Sequence, residues 1–307
     1  MAKKKPLSHF SPVFSNKYWA NENAYLSYFY CQYEKEVKST PQGKKQWGRK
    51  RGLYTWDVER ALDRDLETKV APIYEKLLIP EELIPSERIV WSQFLMSQLV
   101  RTPTFIRYET AGIRYETAGK EKWGIDNEPL HDRVGCTECG DLYYIANRDW
   151  YLLIAYEDDY FVRSDNPVLL SGFVEESKTC LYYPLTPKVC FVACSMPNDW
   201  PVFTYKPKNT YGHRMDKGAA HILNFHLARA ASESLIISPG CKGEIADRMF
   251  GDILGKYPQP PFTLHSPSND DVEQAYISIN EIMNYTDGLE YPSWKPFEAE
   301  PFYSSGV

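Results

Sequence analysis

The side chains best suited to chemistry lie in a short polar break between two apolar stretches, Ser164-Asp165-Asn166-Pro167. Pro167 has no N–H to donate to a sheet, and Asp and Asn side chains bond their own backbone in turns. A carboxylate, an amide and a hydroxyl are therefore held on a tight turn between two strands that we predict to be buried. Such a turn can hold a reacting group rigidly, although the same four residues are equally suited to a purely structural turn.

A second group of carboxylates lies on a predicted helix that begins at Thr55 or Asp57, both of which are good caps. Glu59, Asp63 and Glu67 follow one another at four-residue spacing, so they project from one face of that helix. A stripe of this kind is usually a solvated face. Alternatively, one or two of the carboxylates point inward and bind a metal or another cation.

The next predicted helix, within residues 91–103, is apolar around most of its circumference and yet carries Arg101. A buried guanidinium needs a partner, because unpaired buried charge is costly. Gln98 lies one turn earlier on the same face. The sequence leaves open whether the partner of Arg101 is a structural carboxylate or an anionic ligand.

Two further groups could contribute to a site. His9 stands among apolar neighbours, where histidine is usually a hydrogen-bonded core residue and becomes an acid or base only if the fold brings it to a site. Cys136 and Cys139, with His131 nearby, are half of a zinc knuckle. Zinc needs four ligands, or three and a water, and no second cysteine pair follows at a suitable distance. A zinc module is therefore only a third hypothesis.

Charge is unevenly distributed along the chain. Residues 1–51 hold 11 Lys and Arg against 3 acidic residues, a formal charge of +8, whereas the whole chain carries −6. We predict that the Gly- and Pro-containing residues 35–51 form an exposed, mobile loop. Its candidate substrate-binding residues are Lys44, Lys45, Arg49, Lys50 and Arg51. This basic front suggests contact with a polyanion; the alternative is a solvated loop and a basic tail.

Composition sets the broad class. A chain of 307 residues that is 43% hydrophobic can bury a substantial core. It contains no run of about 18 apolar residues, so we expect no membrane span, and no apolar stretch follows the basic start as in a signal peptide. The 7 cysteines are odd in number and scattered, which does not indicate a disulfide framework. We therefore expect a cytoplasmic protein.

The order of the predicted elements indicates an α+β fold, with N-terminal helices packed on a mainly antiparallel sheet and with C-terminal helices. Strand-like segments follow one another from residue 142 to residue 195, beginning with 142–146, and a helix is predicted from about Asp216 to Ser234. We predict one α+β domain over residues 1–255, including a basic tail at 1–7. Residues 256–307 are expected to form a C-terminal helix and a wrapping tail.

Several short stretches in order resemble a family catalogued as domain of unknown function 4238, which is found mostly in bacteria and also in fungi. The matching pieces are His9-Phe10-Ser11-Pro12 with Phe14, Val58-Glu59 followed by Leu66-Glu67, Phe94 to Gln98 with Arg101-Thr102-Pro103, Trp150 to Leu153, Arg163-Ser164-Asp165-Asn166-Pro167, and Tyr183-Pro184-Leu185-Thr186-Pro187. The resemblance implies a shared fold and a common set of polar positions. It implies no activity, since the family is named for the lack of one.

If these polar residues converge, they suit metal-assisted hydrolysis of a phosphodiester or a nucleotide. Glu59, Glu67 and Asp165 would hold Mg²⁺, a hard cation that prefers oxygen ligands. The remaining roles are a phosphate clamp for Arg101, orientation of water by Gln98, acid–base work by His9 with Asp165 as a further catalytic group, and substrate contacts by Ser164, Asn166 and the basic loop.

The rival hypothesis is a binding or interaction protein in which the same residues form a buried structural network. Arg101 would then pair with Asp165 or Glu67, and His9 and Gln98 would complete the hydrogen bonds. The two hypotheses differ in their expectation for Arg101→Ala. A buried buttress would be lost with several kcal/mol of stability, whereas a catalytic arginine could be removed without unfolding the protein.

Overall fold

The structure is a computed structural model of the chain. It describes residues 6–32, 36–53, 55–79, 83–106, 145–146, 148–171, 179–194 and 210–241. The strands are β1 (Leu7–His9), β2 (Tyr25–Gln32), β3 (Glu36–Gly43), β4 (Arg49–Arg51), β5 (Asp149–Ile154), β6 (Arg163–Ser164), β7 (Leu169–Leu170), β8 (Leu181–Pro184), β9 (Val189–Cys194), β10 (Thr210–Arg214) and β11 (Ser234–Ile237). The helices are α1 (Val13–Asn16), α2 (Trp56–Ala61), α3 (Thr68–Leu78), α4 (Pro85–Val100) and α5 (Ala219–Ala230).

The strands form two main sheets and a small ribbon. One sheet has the order β10-β5-β9-β8-β7 and the other has the order β3-β2-β11-β6, while β1 pairs with β4. All of these neighbours are antiparallel except β10 and β5, which are parallel. The predicted α+β class, with helices on a mainly antiparallel framework, is therefore confirmed.

The early helices pack on the five-stranded sheet through aromatic side chains. Trp91 and Phe94 of α4 are fully buried. The ring of Trp91 lies 5.5 Å from that of Phe191 on β9, and the ring of Phe94 lies 5.7 Å from that of Tyr183 on β8. Edge-on contacts of this kind add to the burial of apolar area, which is the main stabilising contribution. Arg101, at the end of α4, is thereby fixed against the sheet.

The helix that carries the acidic stripe is continuous from Trp56 to Leu78, but it changes pitch in the middle. Residues Leu62–Glu67 form a π-helical turn between α2 and α3. Pro72 lies inside α3 and does not end it. A π turn places extra residues in one turn and rotates the residues that follow. The carboxylates of the stripe therefore do not share one environment, as the site shows.

Two local predictions were wrong. Residues 35–51 were expected to form an exposed, mobile loop, but residues 36–43 form β3, which pairs with β2 from Tyr25↔Gly43 to Gln32↔Glu36, and residues 49–51 form β4. β3 is the outer strand of its sheet, and outer strands commonly carry the lysine and proline that made this segment resemble a loop. Residues 145 and 146 were expected at the end of a strand, but they are helical.

Some predicted features lie outside the described residues. They are the basic tail at 1–5, the half zinc knuckle with His131, and the C-terminal region 256–307. Among the described helices, none combines the length and the apolar character needed to cross a membrane.

Candidate functional site

Three basic residues of the first 51 positions, Arg49, Lys50 and Arg51, lie opposite the N-terminal segment that carries His9, on the β1–β4 ribbon. The register of the ribbon pairs His9 with Arg49, Ser8 with Lys50, and Leu7 with Arg51. The three basic residues of β4 are exposed. Three successive cationic residues therefore lie alongside the strand that carries His9.

The ribbon is held in place by contacts on its inner side. The Ser11 N–H donates to the Gly48 carbonyl at 3.0 Å, and the Ser11 hydroxyl donates to Oδ1 of buried Asn16 at 2.9 Å. Asn16 Nδ2 donates in turn to the carbonyl of Lys44 at 3.3 Å. Gly48 has a φ of +81°, and a Cβ on it would lie only 2.4 Å from Ser11 Cβ. Glycine is thus required where the two segments touch.

His9 forms an acid–base pair with Glu59. Its Nδ1 lies 2.8 Å from Glu59 Oε1, and its backbone N–H also donates to the Glu59 carboxylate, at 3.2 Å to Oε2. The side chains are 31% and 18% exposed, respectively. Thr55 positions the carboxylate, because its hydroxyl caps α2 by accepting from Val58 N–H at 3.4 Å and thereby fixes where the helix begins. The pair is held firmly but remains accessible from solvent.

Glu67, the last residue of the π turn, has a different partner. Arg101 donates through one terminal nitrogen to Glu67 Oε1 at 2.6 Å. With the Gln98 amide oriented so that its oxygen faces Arg101, that oxygen accepts from Arg101 Nε at 2.6 Å and from the second terminal nitrogen. Burial raises the pKa of Glu67, and the nearby charge of Arg101 opposes that rise. Arg101 and Gln98 are completely buried, so the predicted phosphate clamp and water-orienting amide are directed into the protein.

Asp165 has the opposite surroundings to those that a metal ligand needs. One carboxylate oxygen accepts from Ser232 N–H at 2.7 Å, and the other accepts from Glu233 N–H at 2.8 Å and Ser234 N–H at 3.0 Å. Burial raises the pKa of Asp165 to about 6 in spite of these three donors. The carboxylate therefore fixes the connection from α5 to β11.

The two neighbours of Asp165 are also engaged with the protein. The Ser164 hydroxyl donates to the Asn166 carbonyl at 2.7 Å, and Asn166 Nδ2 donates to the Ala230 carbonyl at the end of α5 at 2.6 Å. The polar break is a tight turn, as its sequence predicts, and it serves to join α5 and β11. Its predicted substrate contacts through Ser164 and Asn166 have no support in this geometry.

The remaining predicted positions divide in the same way. Among the residues that the structure describes, no three His, Cys, Asp or Glu side chains lie close enough together to hold a metal ion. Glu59, Glu67 and Asp165 therefore do not form one cluster, because each carboxylate has its own hydrogen-bond partners. Lys45 is exposed and Lys44 is half-buried beside the ribbon. Asp63, the middle carboxylate of the stripe, is exposed.

A buried arginine was missed by the sequence reasoning. Arg163 is completely buried on β6, where it donates to the Ser15 hydroxyl at 2.9 Å, to the Tyr74 hydroxyl at 2.9 Å and to the Pro184 carbonyl at 2.5 Å. It joins α1, α3 and β8. The available signal was an arginine between two buried residues, Val162 and Ser164, because an arginine in such a place requires internal partners.

Residues 8–130 match the model of the family described as Protein of unknown function (DUF4238), so the resemblance predicted from the sequence is confirmed. The match includes His9, Glu59, Glu67 and Arg101, and ends before Asp165. No curated protein and no solved structure matches the chain.

Proposed function

We propose that the chain binds a phosphate-bearing ligand, a nucleic acid or a nucleotide, along the β1–β4 ribbon, and that it hydrolyses a phosphodiester or phosphoanhydride bond with His9 as the acid–base group. The observation that carries the proposal is the pairing of His9 Nδ1 with Glu59 at 2.8 Å, next to the exposed basic residues of β4. A carboxylate that holds an imidazole in one tautomer is an arrangement in which histidine acts as a general base.

The chemistry of the pair follows from which nitrogen faces Glu59. With the Nδ1 proton directed to the carboxylate, Nε2 is the atom that accepts a proton from an attacking water. The new bond forms between the water oxygen and phosphorus, the bond from phosphorus to the leaving oxygen breaks, and solvent protonates that oxygen. Glu59 stabilises the imidazolium that His9 becomes, and the pair then returns its proton to solvent.

The basic strand β4 contributes to the affinity for the phosphate-bearing ligand and to the approach of that ligand. Cationic side chains that neutralise phosphates release counterions, so binding weakens steeply as salt rises. Arg49 is the nearest to His9 because the two residues are register partners. Lys50 is held in part by Glu233, with 3.7 Å between Nζ and Oε1. This geometry favours Arg49 as the residue that positions a phosphate beside His9.

Mg²⁺ remains part of the proposal, although the predicted three-carboxylate site does not form. Mg²⁺ commonly binds through substrate phosphates with only one or two protein carboxylates. Glu59 and Glu67 are near enough for the charge of Glu59 to raise the pKa of Glu67. We place the reaction in the cytoplasm, as the sequence predicts.

The test is hydrolysis of a fluorescently labelled single-stranded oligonucleotide, and separately of a nucleoside triphosphate, by the full chain in buffer with Mg²⁺. We expect turnover by the unaltered protein and a loss of about 10²- to 10⁴-fold in kcat for His9→Gln. Arg49→Ala should raise KM and reduce the salt dependence of binding by close to one counterion. Lys69→Ala, at an exposed lysine on α3, is the matched control and should behave as the unaltered protein.

The proposal fails if neither substrate is hydrolysed, or if His9→Gln keeps its kcat while the melting temperature shows that it is folded. Binding of the labelled oligonucleotide that responds to Arg49→Ala, without any turnover, would retain the ligand and remove the reaction.

A second candidate function is a non-catalytic binding protein. It is favoured by the complete burial of Arg101 and Gln98 and by the pairing of Arg101 with Glu67 at 2.6 Å. Here the polar residues of the family segment serve stability alone. This function predicts that the unaltered protein turns over no phosphate ligand, that His9→Gln does not change the binding of such a ligand, and that Arg101→Ala unfolds the chain.

A further inference from the structure

Two cysteines lie directly opposite each other at the end of the paired region of β8 and β9. The antiparallel register pairs Leu181 with Ala193. Cys180 precedes Leu181 and Cys194 follows Ala193, so the same register places Cys180 across from Cys194. Both residues carry thiols. Cys180 is half-buried, and Cys194 is 8% exposed.

The backbone hydrogen bonds of Cys180 show that the two cysteines form a pair without mutual hydrogen bonds. Cys180 N–H donates to the Ser171 hydroxyl at 2.8 Å, and Ser171 N–H donates to the Cys180 carbonyl at 3.0 Å. Both polar backbone groups of Cys180 therefore turn away from β9. Opposite residues in a position without mutual hydrogen bonds have Cα atoms about 4.5 Å apart, which is at the short end of the range of about 4.4–6.8 Å that a disulfide spans.

A buried cation accompanies the pair. Arg148 is 1% exposed and donates through a terminal nitrogen to the Thr179 carbonyl at 2.6 Å. Its charge acts on Cys180 and Cys194 together. Hydrogen bonds from Cys194, Tyr182 and Ser171 and the charge of Arg148 together lower the pKa of Cys180 to about 7, against the effect of burial.

A third cysteine in the same sheet shows how a thiol behaves without the groups that surround Cys180. Cys190 lies four residues before Cys194 on β9 and is completely buried. Burial raises the pKa of its thiol far above the ordinary value. Since the thiolate is the nucleophile, Cys180 and Cys190 should differ strongly in reactivity, although Cys190 lies on β9 and Cys180 directly precedes the neighbouring strand β8.

We propose that Cys180 and Cys194 are a redox-active pair, in which Cys180 is oxidised by hydrogen peroxide and Cys194 then forms a disulfide with it. In the first step the Cys180 sulfur attacks one peroxide oxygen, the O–O bond breaks, and the leaving hydroxide takes a proton to become water. Cys180 is then a sulfenic acid, oxidised by two electrons. In the second step the Cys194 sulfur attacks the Cys180 sulfur, and the hydroxyl leaves with the Cys194 proton as a second water.

The test is peptide mapping of the folded full chain after treatment with hydrogen peroxide and after timed alkylation. We expect a disulfide peptide that joins Cys180 to Cys194, with the loss of two hydrogen atoms. Before oxidation, alkylation at neutral pH should be at least about tenfold faster at Cys180 than at Cys190. In denaturant that difference should disappear, because both thiols then have ordinary surroundings.

Two variants separate the steps. Cys194→Ser should stop at the sulfenic acid on Cys180, which dimedone traps. Cys180→Ser should leave Cys194 reduced under the same peroxide treatment. The proposal is overturned if Cys180 of the folded chain stays a thiol while free glutathione in the same tube is oxidised, if its disulfide partner is a cysteine other than Cys194, or if Cys194 is oxidised as fast in Cys180→Ser as in the unaltered chain.

Discussion

Asp165 and Glu59 both accept backbone N–H groups from a distant part of the chain, but they differ in how far they are open to solvent. Asp165 accepts three N–H groups from residues 232–234 and is 4% exposed. Glu59 accepts the N–H of His9 and pairs with the ring of the same residue, at 18% exposure. Both oxygens of Asp165 accept hydrogen bonds from backbone N–H groups of the fold. Glu59 instead divides its hydrogen bonds between one backbone N–H and the titratable ring of His9.

This difference separates two kinds of polar residue that the sequence presents alike. A buried group whose hydrogen bonds are all made within the protein rigidifies the fold and has little left for a ligand. The exposed rim of the β1–β4 ribbon has the opposite character. Arg101 and Gln98, which are completely buried, belong to the first kind, and His9 with Glu59 belongs to the second.

The largest effect that would test this division is on Arg101. Arg101→Ala removes the cation from completely buried surroundings and leaves Glu67 without its partner, so we expect a loss of about 3–5 kcal/mol in the free energy of unfolding. Urea denaturation measures it. Arg60→Ala is the control, because Arg60 pairs with Asp57 at 71% exposure and such pairs contribute about 0.2–1 kcal/mol. Equal losses in the two variants would break the comparison.

The next effect is the pH dependence that Asp165 imposes. Its pKa of about 6 in the folded chain lies above the ordinary value of 3.8, so the folded state holds the proton more tightly than the unfolded state does. The resulting stability is complete below about pH 4 and is lost as pH rises through 6. Relative to Asp165→Asn, the unaltered protein should lose about 3 kcal/mol in all from well below pH 4 to well above pH 6.

Denaturation at several pH values, for the protein and for Asp165→Asn, gives this difference directly. A difference between the two proteins that stays constant from pH 4 to pH 7 would show that the three N–H donors outweigh burial. Asp165 would then be a fully ionised anchor, and its contrast with Glu59 would rest on exposure alone.

The sequence was informative wherever a requirement is local. The cap at Thr55, the tight turn at Ser164-Asp165-Asn166 and the need of Arg101 for a partner all follow from the chemistry of single residues and their neighbours. The α+β class follows from the order of periodic segments. These predictions needed no knowledge of which segments meet.

What the sequence could not provide was the set of long-range partners. His9 and Glu59 are 50 residues apart, and no spacing rule relates a strand residue to a helix residue at that distance. The π turn between α2 and α3 directs Glu59 and Glu67 to different partners, whereas regular helical spacing predicted one stripe. Arg163 shows the same limit, since its partners Ser15 and Tyr74 come from two other elements.

The contact between the segments of β1 and β4 provides a prediction with an intermediate effect on stability. Gly48→Ala adds a Cβ that would lie 2.4 Å from Ser11 Cβ, at a φ of +81°. We expect a loss of about 2 kcal/mol, from the unfavourable φ together with the displaced neighbour. Gly218→Ala is the matched control, because its φ is +86° and nothing lies within 4 Å of the added atom. It should cost about 1 kcal/mol, and both values come from thermal or urea denaturation.

The smallest effect on stability should come from the pair that we propose to be functional. Glu59→Gln keeps the shape of the side chain and an oxygen for the His9 N–H, but it removes the charge. Because His9 is 31% exposed and Glu59 is 18% exposed, solvent screens much of their interaction, and the free energy of unfolding should fall by less than about 1 kcal/mol. Denaturation of Glu59→Gln beside Arg101→Ala measures the contrast. A loss as large as that of Arg101→Ala would place Glu59 among the saturated structural groups, since only a carboxylate whose charge the fold depends on can cost that much when it is replaced by an amide.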